Sequence, residues 1–198
     1  QMILETERLF LRTLTSNDYA GLCAILQDEK VMYAYEHAFS DEEVLHWLNR
    51  QLQRYRENGF GLWAVVLKQN GKLIGQAGIT LQPWRNRQVH EIGYLFNHRY
   101  WHHGYATEAA SACRDYAFCR LGSTEVYSII RDNNIASQNV AVRNGMTMVG
   151  TDIRYYAGYT MPHLVYRIRK QDWTPAGSGR TFFRKIGDTM LTATEDFS

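Results

Sequence analysis

Tyr100-Trp101-His102-His103-Gly104-Tyr105-Ala106-Thr107-Glu108-Ala109 is the stretch on which the fold turns. Just before it, Val89 to Phe96 reads as a strand. After Gly104 the small residues Ala106, Ala109, Ala110, Cys113 and Ala117 recur at helical spacing. A glycine at a strand-to-helix junction lets the backbone turn tightly and lets a ligand approach it closely. The first N–H groups of the helix have no partner within the helix, so its open end is a seat for phosphate oxygens. A Gly-x-Ala corner is equally consistent with tight packing alone, and the flanking sequence has to decide.

Towards the N-terminus, Arg8 to Leu14 alternates as a strand. Thr15 with Asp18 reads as a helix cap leading to an apolar face of Tyr19, Leu22, Ile25 and Leu26. Ser40-Asp-Glu-Glu43 is a second capping box. It opens a helix whose inner face is Val44, Trp47, Leu48, Leu52 and Tyr55. Tyr33 to His37, between the two helices, is expected to be a loop. Leu62 to Leu67 and Leu73 to Leu81 read as strands joined at Asn70-Gly71, a type I′ hairpin signal, and Pro83 to Arg87 as a polar loop. Beyond the quoted stretch come a strand over Val126–Ile130, a short helix from Asn134 to Asn144 stopped by Gly145, and strands over 146–150 and 164–168. The order β-α-α-β-β-β-α-β-α-β-β predicts an α/β (α+β) domain, a mixed sheet with helices on its faces.

The bulk numbers exclude several function classes. At 198 residues, 45% hydrophobic and 21% charged, the chain has the composition of one soluble domain with a short appendage. A formal net charge of +2 gives no reason to expect nucleic acid or a membrane surface as partner. No apolar run approaches the roughly 20 residues that span a bilayer. Acids interrupt the apolar residues of Met2 to Arg8, against the pattern of a signal peptide. Cys23, Cys113 and Cys119 form neither a metal-type pair nor a disulfide framework. No metal is expected, and a reducing, cytoplasmic setting is.

Two further segments complete a pattern with the quoted loop: Glu91-Ile-Gly-Tyr94 ahead of it and Asn133-Asn-Ile-Ala-Ser-Gln-Asn-Val-Ala-Val-Arg-Asn-Gly145 behind it. In these three parts the chain resembles the GNAT superfamily of N-acetyltransferases. Within it the chain is similar to the branch of Rim-type ribosomal-protein N-terminal acetyltransferases. The opening Glu5-Thr-Glu-Arg-Leu-Phe-Leu-Arg12 and the closing Leu164-Val-Tyr-Arg-Ile-Arg-Lys-Gln-Asp-Trp173 fit that branch too. The resemblance implies a GNAT domain over 1–173, followed by a C-terminal extension over 174–198. It also implies a mostly antiparallel mixed sheet in which two parallel strands, 89–97 and 125–130, splay apart. Acetyl-CoA is the implied co-substrate. Its pyrophosphate would sit on Trp101, His102, His103, Gly104, Tyr105, Ala106 and Thr107, where Trp101 and the two histidines replace commoner family residues. Its pantetheine arm would pair with Leu95, Phe96 and Asn97 and meet Asn134.

Amine attack on a thioester requires a neutral nucleophile, a polarised carbonyl and a proton for the leaving thiolate. An α-amino group, with a pKa of about 8, is partly neutral at pH 7. A lysine near 10.4 needs about 3 units of help, roughly 4 kcal/mol. Glu91 is the candidate base if burial raises its pKa; otherwise it pairs with a basic neighbour and holds its strand. Ser137 matches the serine suggested as thiolate acid in the Rim-type branch, or it back-bonds to its own helix. The tyrosine that many family members carry four positions later is Ala141 here. His163 is an alternative base, an acceptor contact or a structural histidine. Tyr33, Tyr35, His37, Trp47 and Trp84 fall in the regions the family uses for substrate. The implied function is acetyl transfer to a primary amine, on a small molecule or a peptide N-terminus. The alternative is an inactive acyl-CoA-binding regulatory or sensor module. A nucleotide-binding protein is set aside because neither phosphate-loop fingerprint occurs. A homodimer, with the Phe182–Leu191 segment crossing to a partner subunit, is a further arrangement left open.

Overall fold

Alternation along the strands sorts the side chains into two layers. The computed structural model describes residues 1–156 and 158–174, so the expectations for the extension beyond Thr174 lie outside the described residues. The elements run β1 (Met2–Glu5), β2 (Leu9–Arg12), α1 (Tyr19–Leu26), α2 (Glu29–Met32), α3 (Asp41–Asn58), β3 (Leu62–Leu67), β4 (Leu73–Trp84) and β5 (Arg87–Phe96). They continue with α4 (Tyr105–Arg120), β6 (Glu125–Arg131), α5 (Ile135–Arg143), β7 (Thr147–Tyr156) and β8 (Tyr159–Arg169). One eight-stranded sheet has the order β1-β2-β3-β4-β5-β6-β8-β7. On β3, Trp63, Val65 and Leu67 join the core under α4, while Ala64 joins the core under α1 and α3. That period of two buries one sheet between two helical layers.

The helices form where their caps say. Thr15 and Asp18 make a reciprocal capping box ahead of α1, and Ser40 and Glu43 make one at the start of α3. Val44 and Leu48 of α3 are buried as expected. Gln51, which the apolar pattern skipped, is wholly buried as well. Tyr33 to Tyr35 is a 3₁₀ turn following the short α2 rather than a loop. β1 was not anticipated. It is a short strand at the sheet edge, paired antiparallel with β2.

The type I′ turn lies elsewhere than the Asn-Gly pair suggests. Arg85 and Asn86 both take positive φ, 47° and 62°, directly between the paired residues Trp84 and Arg87. At the other hairpin only Gly71 is left-handed (φ 68°). There Leu67 N–H bonds the Lys72 carbonyl at 2.9 Å, which makes a longer loop, and Asn70 Oδ1 accepts from Lys72 N–H at 3.0 Å. Loop length, set by strand register, overrides the local signal. Pro83 is tolerated inside β4 because the pairing with β3 stops at Gly78, so no ladder bond is lost there.

Every neighbouring pair of strands is antiparallel except β5 and β6, which are parallel and register only at Glu91↔Tyr127. β4 and β5, by contrast, pair continuously from Gly75↔Phe96 to Trp84↔Arg87. The parallel pair therefore splays, as the resemblance implied. Side chains satisfy the first groups that the divergence strips: Ser128 Oγ donates to the Ile92 carbonyl at 2.9 Å, and Ile129 N–H donates to Glu91 Oε2 at 2.6 Å.

Because Arg85 and Asn86 hold a conformation that asparagine and glycine adopt more readily, the double change Arg85→Asn with Asn86→Gly is expected to stabilise the fold by about 0.5–1 kcal/mol. Thermal unfolding of the pair measures this, and an unchanged or lower midpoint would show the turn to be unstrained.

Candidate active site

The quoted loop builds an anion seat from main chain. Gly104 caps α4 with φ 79°, a left-handed value that favours glycine, and His102 precedes it at φ 64°. No side chain caps the open turn, which leaves the first N–H groups of α4 directed out of the helix. Alternating backbone handedness of this kind gathers amides into an anion-binding concavity. These features fit a diphosphate. Trp101 is partly exposed and donates its indole N–H to the Phe96 carbonyl at 3.0 Å, tying the loop back to the end of β5. His102 and His103 are exposed. The main chain of Asn97 bonds the Ile74 carbonyl at 2.9 Å, and its side chain accepts from Arg99 N–H at 3.1 Å.

Arg8 belongs to this seat and was missed in the sequence. Its Nε meets Glu108 Oε1 at 2.7 Å, its Nη1 donates to the His103 carbonyl at 2.9 Å, and its guanidinium lies 4.4 Å from the centre of the Tyr105 ring. Glu108 Oε2 in turn accepts from Thr6 Oγ1 at 2.6 Å and from Arg8 N–H at 3.0 Å. The turn between β1 and β2 thus braces the first turn of α4. Nothing local announces a contact between residues a hundred positions apart.

Beside the splay opens a cleft of about 1570 Å³, to which Glu91, Tyr94, Leu95, Asn134, Ser137 and His163 all contribute. Burial pushes the Glu91 carboxyl up to about 7; the Ile129 N–H bond and the positive fields of Arg154 and Arg54 pull weakly the other way. Asn134 caps α5 by accepting from Ser137 N–H at 3.2 Å, and Tyr94 donates its hydroxyl to the Ser137 carbonyl at 2.7 Å. These bonds fix the backbone of Ser137, while its hydroxyl has no hydrogen-bond partner among the described residues. The back-bonded alternative for Ser137 is therefore not what the structure shows. His163 on β8 lies between Arg131 of β6 and Asp152 of β7. Its Nδ1 is 2.8 Å from the Met161 carbonyl, so Nε2 is left for other partners, and burial lowers its pKa.

The aromatic candidates divide. Tyr35 and Trp47 line the cleft and stack edge-on at 6.0 Å, with Trp47 Nε1 donating to Gln76 Oε1 at 2.8 Å. Trp84 reaches the cleft but is mostly buried in a small core with Val89, Tyr127 and Val165. Tyr33 and His37 do not line it. Tyr33 donates to Asn134 Oδ1 at 2.9 Å, and His37 pairs with Glu43 at 2.8 Å. Cys113 is buried, Cys119 is exposed on the other face of α4, and the described residues include no cluster suited to a metal ion. No helix among them is long and apolar enough to cross a membrane.

A mixed sheet parted between its two parallel strands, with a glycine-capped helix at the parting, defines the class of acyl-transferring GNAT folds. The family described as Acetyltransferase (GNAT) domain matches residues 8–147, and the chain belongs to it. Among its relatives, the uncharacterized protein YkkB of Bacillus subtilis (strain 168) is 37% identical over 144 residues, covering 72% of this chain and 84% of that protein. The uncharacterized N-acetyltransferase YoaA of the same organism is 28% identical over 78% of this chain and 87% of its own. An acetyltransferase structure from Agrobacterium tumefaciens str. C58 superposes with a TM-score of 0.72 at 28% identity, covering 85% of this chain and 94% of that one. The ribosomal L7/L12 α-N-protein acetyltransferase RimL, solved in complex with coenzyme A, shares the fold at a TM-score of 0.70 with 17% identity, over 85% and 98% of the two chains.

Glu91's raised pKa has a consequence for stability. The folded state holds the proton more tightly than the unfolded chain does, so its contribution is present below about pH 4.5 and is lost as pH rises towards 7. Glu91→Gln keeps an acceptor for Ile129 N–H without the buried charge. It is expected to gain on wild type across that window, by at most on the order of 3 kcal/mol, because the cleft lets water reach the carboxylate. Denaturant melts at pH 5 and pH 8 measure the difference; a gain of equal size at both would sink the assignment of the burial effect to this carboxyl.

Proposed function

We propose that the chain is an active acetyl-CoA-dependent N-acetyltransferase that acetylates a primary amine by direct attack on the thioester. The observation that supports it most is that Glu91, its carboxyl pushed up to about 7 by burial, and Ser137 line the same cleft at the splay.

Acetyl-CoA, when bound, supplies an acetyl group already activated as a thioester. The main-chain amides of Tyr105, Ala106 and Thr107 take the diphosphate, with Arg8 holding the loop in shape. The Ile92 and Phe96 carbonyls both bond to groups outside β4, so alternation turns the main chain of Tyr94 and Phe96 towards the splay, where the pantetheine amides find partners. Asn134 Oδ1 is occupied by Tyr33 and Ser137 N–H, leaving its Nδ2 as donor to the arm. Glu91 takes one proton from the acceptor ammonium, directly or through one water, before the neutral amine attacks; Ser137 Oγ–H protonates the departing sulfur and regains a proton from the nitrogen of the intermediate. His163 Nε2 is placed to hold the acceptor. Of the inward aromatics, Tyr35 and Trp47 form the apolar wall of the acceptor site.

The replacement of the family's tyrosine by Ala141 favours a second reading, an acyl-CoA sensor without turnover. Ala141 is buried and carries no hydroxyl with which to protonate a thiolate. Release of free thiol from acetyl-CoA over an amine panel separates the two, because tight cofactor binding with no turnover would establish the sensor. On the transferase reading, kcat rises with pH to about 7 and then levels, following ionisation of Glu91. Glu91→Gln is expected to lower kcat by roughly 10²-fold or more and to flatten that rise. Ser137→Ala is expected to lower kcat with little change in acetyl-CoA affinity. Wild-type rates in these variants would remove both roles.

The donor site is checked separately. Gly104→Val places a β-branched residue at φ 79°, and calorimetry is expected to show acetyl-CoA affinity reduced about tenfold or more. Unchanged affinity would count against the main-chain seat.

A further inference from the structure

Of the six arginines that line the cleft three are ion-paired, and a fourth, Arg85, lies over the Trp84 ring at 4.7 Å. Arg131 pairs with Glu36 at 2.6 Å, Arg87 with Glu125 at 2.7 Å and Arg154 with Asp152 at 3.2 Å. The α3 wall differs. Arg50 and Arg54 sit one helical turn apart, both line the cleft, and neither forms an ion pair among the described residues. Arg54 is half-buried, and its one hydrogen bond goes to a neutral group, Gln51 Oε1, at 3.2 Å.

Gln51 holds that guanidinium in place: wholly buried, it uses the same Oε1 to accept from Leu62 N–H at 3.1 Å. A half-buried guanidinium without an ion pair, its one side-chain bond made to a neutral amide, keeps donors free for a ligand of the cleft. The acids of the cleft do not occupy them. Glu43 is engaged by His37 and the Ser40 cap, Asp152 by Arg154, and Glu42 lies two turns of α3 away from Arg50, about 12 Å along the axis. Glu91 feels the positive field of Arg54 but points its carboxylate at Ile129 N–H.

We propose that the acceptor is a primary amine that also carries a carboxylate, with the carboxylate held by Arg54 and Arg50 of α3 while the amine lies at Glu91. This rests on the acetyl transfer proposed above. The remaining donors of the Arg54 guanidinium match the two oxygens of a carboxylate, and Arg50 at the cleft margin adds long-range attraction. The same cations repel a polyamine, which brings only positive charge to this wall.

The test uses the full chain and thiol release from acetyl-CoA. Glycine, β-alanine, 4-aminobutyrate and the dipeptide Ala-Glu are each compared with the counterpart whose carboxylates are carboxamides. Removing the negative charge lowers the amine pKa and makes the amide the readier nucleophile, so a preference for the acid cannot come from amine basicity. At least one acid is expected to exceed its amide by roughly tenfold or more in kcat/KM, the size of one charge-assisted hydrogen bond. Arg54→Gln and the exposed Arg50→Gln are each expected to shrink that ratio towards one. Arg56→Gln, on α3 but outside the cleft, is expected to keep it. Amides used as well as acids by wild type, or a ratio that survives in both cleft variants, would overturn the proposal and leave acetyl transfer standing. No thiol release with any probe, acid or amide, would overturn the transferase reading itself.

Discussion

The constraint on which everything else depends is the loss of pairing between β5 and β6 after Glu91↔Tyr127. A sheet interior normally satisfies every N–H and carbonyl, and an unsatisfied buried group costs on the order of 1–3 kcal/mol. The chain meets that cost in two ways. Close to the divergence it spends side chains, Ser128 on the Ile92 carbonyl and Glu91 on Ile129 N–H. Further out it leaves main chain open to the cleft, where a ligand's amides can complete the ladder as an added strand would. The binding groove is thus the unpaired remainder of the sheet, and the α4 N-terminus stands where that groove ends.

Glu91 carries two demands that pull against each other. As the partner of Ile129 N–H it is wanted ionised, and burial wants it neutral. The compromise puts its pKa near 7, where a carboxylate is a useful base instead of a spectator. A glutamine there would keep an acceptor for Ile129 N–H at every pH, so the carboxylate is a stability cost for which the proposed base role accounts. The same reasoning separates Glu91 from Glu108, which is also partly buried but is held by Arg8, Thr6 and the Arg8 main chain.

What the sequence made legible follows from how local the physics is. Both capping boxes, the α4 small-residue face and the β3 run were readable because each is settled within a few residues by hydrogen bonding or period. The parallel splay and the loop with its seat came from the order of three motifs, not from any one of them. What stayed hidden is non-local. Arg8 reaches Glu108 across the sheet, the left-handed hairpin turn falls at Arg85-Asn86 because register demanded it there, and Gln51 is buried in a helix whose apolar period passes over it. Tyr33 and His37 illustrate the converse. Their residue types and region suggested substrate contact, yet Asn134, 101 positions away, takes the Tyr33 hydroxyl, and the nearby Glu43 engages His37.

The division of labour between the layers says why acceptor choice is free to vary within such a fold. On the proposed reading the donor seat is assembled from α4, the end of β5 and the β1–β2 turn, while the acceptor wall is the face of α3 that carries Trp47, Arg50 and Arg54. α3 is held by its capping box, by Val44 and Leu48 in the second core, and by Gln51 on Leu62 N–H. None of these anchors involves the donor loop. Substituting the cleft-facing residues of α3 therefore changes what is recognised without disturbing the main-chain amides that aim the thioester. Charge on that wall is the cheapest such change, because a long side chain at the margin keeps its stem packed and alters only its tip. The proposed selectivity for the amine then lives in a few guanidinium groups of one helix, and the proposed reaction in the parted strands beneath it.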